Sequence, residues 1–138
     1  MRMSRLVIVA MLSLAACRPD AAPLAPASSC PILESSEWTG WIDAMPGPNR
    51  QAHLIISGKL RVPTGGYRAY FSDMRIAESY PVQIFVDLAV TPPTGGATQA
   101  ITAIDVRGEW PIAPPVRSIT IRCGGQMIGR IDEIVTAL

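Results

Sequence analysis

The feature that most constrains this chain is a repeated alternation of apolar and polar side chains between turn residues. It is clearest over 53–62, where the predicted buried side consists of Leu54, Ile56, Gly58, Leu60 and Val62. A period of two predicts a half-exposed strand of an antiparallel sheet, because successive side chains of a strand point to opposite faces. From Ser35 onward, no run longer than about 11 residues has a helical period. The pattern therefore excludes a helical bundle.

The same alternation recurs along the chain. Segments 82–90 and 118–123 alternate in this way, and Gly124-Gly125 predicts a two-residue hairpin turn into 126–135. Segments 67–76 and 98–110 are rich in aromatic and β-branched residues and are also predicted as strands. Segment 37–44 fits helical spacing as well as strand spacing, and its glycine and aromatic content favours a strand.

Seven such strands in residues 34–138 predict the fold class. We expect an all-β domain, a single antiparallel β-sandwich of about seven strands of immunoglobulin-like type. A small closed β-barrel is the alternative. Within this domain, segment 73–81 mixes polar and apolar residues without a clear face, which predicts an exposed edge open to strand addition or a misplaced strand.

The N-terminal segment has a different composition. Arg2 and Arg5 precede an apolar stretch from Leu6 to Ala16 that only Ser13 interrupts. Such a stretch is too short for a transmembrane helix, which needs about 20 apolar residues. A positive start followed by a short apolar run predicts a secretory signal over 1–16.

The end of this signal resembles the lipobox of bacterial lipoprotein precursors, through Leu14, Ala15, Ala16 and Cys17. In that family the cysteine thiol is diacylated, the signal is removed before the cysteine, and the new amino group is acylated. The resemblance implies that Cys17 is the first mature residue and the membrane anchor. Arg18 stands where aspartate is an inner-membrane retention signal in some enterobacteria. This favours the inner leaflet of the outer membrane, facing the periplasm.

The mature part also resembles small lipoproteins of Gram-negative bacteria. The resemblance rests on Trp38-Thr39-Gly40-Trp41, on Met45-Pro46-Gly47-Pro48 and on the Cys-Gly-Gly turn at 123–125. It implies no activity. Between the lipobox and the domain, residues 17–33 contain several prolines among alanine and serine, which predicts an extended tether. Twelve residues of such a chain, 18–29, reach about 35 Å.

Two cysteines remain once Cys17 is assigned to the anchor. In an exported protein, Cys30 and Cys123 are expected to form a disulfide. Two unpaired thiols at separate sites are the alternative. A metal site is not expected, because two distant thiols and a single histidine do not supply a zinc ligand set.

The charge distribution argues against nucleic acid as a partner. Without Arg2 and Arg5, ten basic residues face eleven acidic ones, so the mature chain is close to neutral. The basic residues are scattered singly, whereas nucleic-acid binding needs a patch or stripe of positive charge. The same scatter argues against electrostatic attraction to anionic lipid.

The sequence predicts no catalytic site and no cofactor. His53, the only histidine, lies at the start of a strand on its predicted outer face, and no GxSxG elbow or phosphate loop is present. Asp73, Asp87 and Asp105 lie in predicted strands, where outward carboxylates more often serve solubility than glycoside chemistry. We therefore expect a protein that is not an enzyme.

Aromatic residues are the better candidates for function. We single out Trp38, Trp41, Tyr80 and Trp110 as candidate partner-binding residues, because they lie near predicted strand ends. For Trp38 and Trp110 a core position is the competing interpretation. The leading hypothesis is a lipid-anchored, non-catalytic domain that binds or scaffolds an envelope protein. The alternative is a periplasmic enzyme inhibitor acting through a rigid proline loop, 45–49 or 111–115.

Overall fold

The computed structural model describes residues 29–48, 50–113 and 115–138. The predicted signal, Cys17 and most of the predicted tether lie outside these residues. The described part contains eight strands and no helix: β1 Glu34–Asp43, β2 His53–Val62, β3 Arg68–Ala77, β4 Val82–Thr91, β5 Thr102–Pro111, β6 Val116–Cys123, β7 Gln126–Ile131 and β8 Val135–Ala137.

The strands form two four-stranded sheets that pack face to face. Sheet A has the order β5-β2-β1-β8, and sheet B has the order β3-β4-β6-β7. The predicted β-sandwich is confirmed, and the sheets do not close into a barrel. Strand β3 is an edge strand of sheet B, as segment 73–81 suggested.

Two strand pairings differ from the purely antiparallel arrangement that we expected. Strand β1 pairs in parallel with β8, and β4 pairs in parallel with β6. The second case follows from the chain path, since β5 crosses to sheet A between them and β6 then runs in the same direction as β4. The other four pairings are antiparallel.

The predicted faces of the strands are confirmed where the alternation was cleanest. Strand β2 begins and ends where predicted, and its inward side chains, including Leu54, Ile56, Leu60 and Val62, are completely buried. The Gly124-Gly125 turn has φ values of 58° and 79°, which suit a two-residue hairpin. The ambiguous segment 37–44 belongs to strand β1.

The predicted single strand over 126–135 is wrong in one respect, and this raises the strand count to eight. The chain leaves sheet B after Ile131 and joins sheet A at Val135, where it pairs with Trp41. Asp132 and Glu133, both exposed, occupy the crossing between the sheets. No glycine or proline marks this crossing, because the chain switches sheets without a tight turn.

Three aromatic rings cross the interior between the sheets. The ring centroids of Trp38 and Phe71 lie 6.4 Å apart, and those of Phe71 and Trp110 lie 5.4 Å apart in an edge-to-face arrangement. Trp38 and Trp110 both pack against the buried aliphatic core. Room for these rings comes from residues without a side chain, namely Gly58, Gly108 and Gly129.

The sandwich has two ends of different construction. We call one the disulfide end: it holds residues 29–33, the β2–β3 and β4–β5 loops, and the β6–β7 turn, and here the Cys30–Cys123 disulfide is present. We call the other the loop end: it holds the β1–β2, β3–β4 and β5–β6 loops and Leu138. The described chain therefore enters the domain at the disulfide end.

Candidate functional site

The three carboxylates considered for catalysis do not form one site. Asp87 lies on sheet B, where its two oxygens accept hydrogen bonds from the Nε and Nη2 of Arg122 at 3.0 and 2.8 Å. Arg75 also donates to Asp87, at 3.1 Å, and lies 3.6 Å from the carboxylate of Asp73. Asp105 lies on the other sheet. Asp87 is thus held as a structural counter-ion between two guanidinium groups.

The single histidine lies at the loop end in a polar depression. His53 Nδ1 and Glu109 Oε1 are 2.6 Å apart, and both side chains are about half exposed. Asp43, nearby, accepts a hydrogen bond from the backbone N–H of Met45 at 3.1 Å. The depression has a volume of about 370 Å³, and its lining residues are Asp43, Met45, Arg50, Gln51, His53 and Glu109. Its lining therefore offers hydrogen-bonding groups together with positive and negative charges.

Sequence reasoning missed this depression. His53 and Glu109 are 56 positions apart, and the contact exists because β2 pairs with β5. His53 was predicted on the outer face of its strand, but the partner strand of β2 on that side was unknown. The sequence does show an acidic residue, Glu109, near the end of β5. Without the strand order, this residue identifies no partner.

The four predicted aromatic residues are not brought together. Trp38 and Trp110 are partly buried and pack against the core. Trp41 lies on the outer face of sheet A, where the guanidinium of Arg107 lies 5.2 Å from the ring centroid. Tyr80, in the β3–β4 loop, is 85% exposed. Of these four residues, Trp41 and Tyr80 therefore have surface positions. Trp41 lies on sheet A, and Tyr80 lies in a loop that joins two strands of sheet B.

The outer face of sheet A carries a second polar cluster. Lys59 Nζ lies 2.8 Å from a carboxylate oxygen of Glu37. The hydrogen bond to Glu37 raises the pKa of Lys59 above its ordinary value, and the charges of Glu37 and Asp105 add to the effect. Glu37 has a φ of 54°, at the bulge in β1 where the register against β2 shifts. All three groups are solvent-exposed, so we assign this cluster to the solvated surface.

Backbone hydrogen bonds connect the segments of the loop end to one another. The N–H of Ile112 in the β5–β6 loop donates to the carbonyl of Ala52 at 2.9 Å, and Ile112 is buried. The N–H of Val82 donates to the carbonyl of Pro115 at 3.2 Å. The N–H of Ala44 donates to the carbonyl of Ala137 at 2.9 Å. Loops from both sheets thus form one connected surface.

This surface combines exposed apolar side chains with charges. Met45, Tyr80 and Leu138 are 51%, 85% and 89% exposed. Charged or titratable residues at this end are Asp43, Arg50, His53, Glu78, Glu109 and Arg117. Exposed aromatic and methionine side chains beside charges are typical of protein–protein interfaces. The loop end is therefore the candidate binding site.

No helix among residues 29–48, 50–113 and 115–138 has the length and apolar character to cross a membrane. Within the same ranges, no group of three or more His, Cys, Asp or Glu side chains is arranged to hold a metal ion. No protein-family model, no curated protein and no solved structure matches this chain.

Proposed function

We propose that this chain is a lipid-anchored protein of the cell envelope whose β-sandwich is a non-catalytic binding or scaffolding domain facing the periplasm. The loop end is its recognition surface for an envelope protein. The observation that carries this proposal is the position of Cys30, which the disulfide to Cys123 fixes at the opposite end. The long strands have ten residues, so about 30 Å separates the two ends. An anchor attached before Cys30 leaves the loop end facing away from the membrane.

The anchor itself rests on Leu14, Ala15, Ala16 and Cys17, which lie outside the described residues. Three acyl chains on Cys17 would give stable attachment, because each buried methylene contributes about 0.8 kcal/mol and one chain alone binds only marginally. Arg18 favours the outer membrane over the inner one. The tether over 17–33 would join the lipidated cysteine to the domain.

The construction of the loop end supports a protein partner. Its loops contain Pro46, Pro48 and Pro81, and the hydrogen bonds between loops fix their relative positions. A preorganised surface loses less conformational entropy on binding than a flexible one. The charged groups Arg50 and Glu109 would give specificity, while Tyr80 would supply apolar contact area.

Photo-crosslinking in intact cells tests this proposal. A photoreactive amino acid at Tyr80 is expected to yield a discrete adduct with one envelope protein. The same amino acid at Ile101, which is exposed at the disulfide end, is the matched control and is expected not to yield that adduct. Identical adduct patterns from the two positions would contradict a recognition surface at the loop end.

The inhibitor alternative has a specific observation in its favour. The β5–β6 loop is held down by buried Ile112, whereas Met45, Pro46, Gly47 and Pro48 of the β1–β2 loop are all exposed. An inhibitor would therefore insert the β1–β2 loop into an enzyme cleft. If the crosslinked partner is a hydrolase, stoichiometric addition of this protein should abolish its activity, and Met45→Asp should restore that activity. Unchanged hydrolase activity would leave scaffolding as the function.

A further inference from the structure

The loops of the disulfide end carry no charge, and the strand ends beside them carry the ion pair of Glu34 with Arg61 and the cation Arg68. The β2–β3 loop, Pro-Thr-Gly-Gly-Tyr at 63–67, contains no charged residue, and neither do segments 92–101, 124–129 and 29–33. The loop end, by contrast, carries three carboxylates: Asp43, Glu78 and Glu109. The two ends of one sandwich thus differ sharply in their suitability for contact with an anionic surface.

The disulfide end also carries exposed apolar side chains. Leu33 and Ile101 directly precede strands that begin at the disulfide end, and they are 55% and 57% exposed. Tyr70 and Met127, near the starts of β3 and β7, are 57% and 63% exposed. Tyrosine and aliphatic side chains are typical of surfaces at the membrane–water interface.

Besides Arg61, this end carries the cation Arg68. Arg68 lines a depression of about 510 Å³, whose other lining residues are Gly66, Thr91, Pro92, Pro93, Thr94 and Gly95. None of these is acidic. Over the described ranges, no carboxylate lies within 4.0 Å of the Arg68 guanidinium. A free guanidinium beside threonine hydroxyls is suited to a phosphate group.

The loops around this depression are fixed to one another. The N–H of Gly65 donates to the carbonyl of Thr98 at 3.1 Å. Gly66 has a φ of 82°, and a Cβ at that position would overlap Pro93. The β2–β3 and β4–β5 loops therefore form one surface.

We infer that the disulfide end rests on the lipid headgroups of the membrane, with Arg68 at a lipid phosphate. This inference depends on the lipid anchor in the proposed function. The chain enters the domain at this end, so an anchored domain lies with this end nearest to the bilayer. Its carboxylate Glu34 is paired with Arg61, which limits repulsion from anionic lipid, and Arg68 adds an attraction. The acyl chains supply the attachment, so no basic cluster is needed, and the apolar side chains and Arg68 of this end set the orientation.

Hydrogen exchange of the full mature lipoprotein tests this orientation. The protein is compared in detergent and in vesicles of phosphatidylethanolamine and phosphatidylglycerol, with exchange followed by mass spectrometry. We expect slower exchange in vesicles for peptides covering 63–67 and 92–101, and no change in the β1–β2 loop. If the protein floats with the vesicles but its exchange is equal in detergent and in vesicles, the orientation is overturned. That result would not contradict the lipid anchor.

Charge reversal at the two ends supplies the matched comparison. Arg68→Glu changes the charge by two units, and each unit near an anionic surface changes the ratio of docked to undocked domain about fivefold. The substitution should therefore reduce this ratio about thirtyfold. Arg117→Glu at the opposite end is also an exposed substitution and should leave the protection unchanged. Ile101→Asp should reduce the protection from exchange, whereas Tyr80→Asp should not. Protection that persists in both Arg68→Glu and Ile101→Asp would overturn the inference.

Failure of the anchor gives a different result. A protein that does not float with vesicles and carries no acyl mass on Cys17 would contradict the proposed function, and the orientation would be rejected with it. Slower exchange confined to the β1–β2 loop would also reject the orientation, because the domain would then lie on the membrane by its loop end.

Discussion

Replacing Gly58 by alanine is expected to destabilise the domain through Trp38. The added Cβ would lie less than 3.0 Å from three atoms of the indole ring, Cε3, Cζ3 and Cδ2. The ring has no room to retreat, because a Cβ on Gly129 would also lie less than 3.0 Å from its Cδ1 and Nε1. The indole Nε1 donates a hydrogen bond to Ser35 Oγ at 3.2 Å, which fixes the ring further.

The size of the effect follows from two opposing contributions. Overfilling a well-packed core costs about 1–3 kcal/mol, and a ring confined on two sides belongs at the upper limit. Alanine is favoured over glycine in a strand by about 0.5–1 kcal/mol, which offsets part of this cost. The free energy of unfolding should therefore fall by about 2 kcal/mol. In urea denaturation this loss of stability should appear as a lower midpoint with an unchanged slope.

Gly95→Ala is the matched control, because a Cβ at Gly95 would meet no atom within 4 Å. We expect its stability to stay within about 0.5 kcal/mol of the original protein. Combining Gly58→Ala with Trp38→Leu should give a coupling energy of at least about 1 kcal/mol, because the smaller side chain removes the clash. If Gly58→Ala is as stable as Gly95→Ala, Trp38 is not confined in the core. It would then be open to a partner.

Three further predictions concern stability and titration. Replacing both Cys30 and Cys123 by alanine should lower the free energy of unfolding by about 4–5 kcal/mol in urea denaturation, since the bond joins residues 93 positions apart; a loss below about 1 kcal/mol would contradict the chain-entropy argument. Glu37→Gly should be about 1 kcal/mol more stable than Glu37→Ala, because only glycine adopts a φ of 54° without strain, and equal stabilities would exclude strain at the bulge. Glu37→Gln should return the pKa of Lys59 towards 10.5 in an NMR titration. The raised pKa means that the Lys59 contribution is complete below pH 10.5 and is lost as the pH rises through the folded-state value. This high-pH loss should be smaller in Glu37→Gln, where the charge of Asp105 remains.

Most of the fold could be predicted because β strands of a sandwich show their buried face in the sequence. Strand β2 was predicted with its bounds and its inward residues, since each inward position is aliphatic or glycine. The hairpin at Gly124-Gly125 followed from turn chemistry that needs positive φ. The pairing of Cys30 with Cys123 was predicted from the expectation of export, because an oxidising compartment favours a disulfide.

The features that escaped prediction depend on which strands become neighbours. The alternation over 118–123 predicts that Ser118 and Thr120 lie on the outer face of β6. They are 1% and 8% exposed, because β6 lies between two other strands. The sheet switch after Ile131 has no local signal. The His53–Glu109 contact needs the β2–β5 pairing, which a single sequence does not contain.

The candidate site was predicted only in part for the same reason. Tyr80 and the proline loop 45–49 were singled out, and both belong to the loop end. That the loops meet at one end, opposite the chain entry, could not be deduced without the strand order. Trp38 and Trp110 lie near predicted strand ends, but glycines on other strands make room for their rings inside the core.

Intact mass spectrometry of the protein extracted from membranes tests the central claim most directly. The account predicts a mature chain that begins at Cys17, carries the mass of acyl chains on that residue, and retains the Cys30–Cys123 disulfide in the domain. A Cys17→Ser variant should lose both the acyl mass and the membrane attachment. A mature chain that begins elsewhere, or an unmodified Cys17 in the membrane fraction, would contradict a lipid-anchored binding domain.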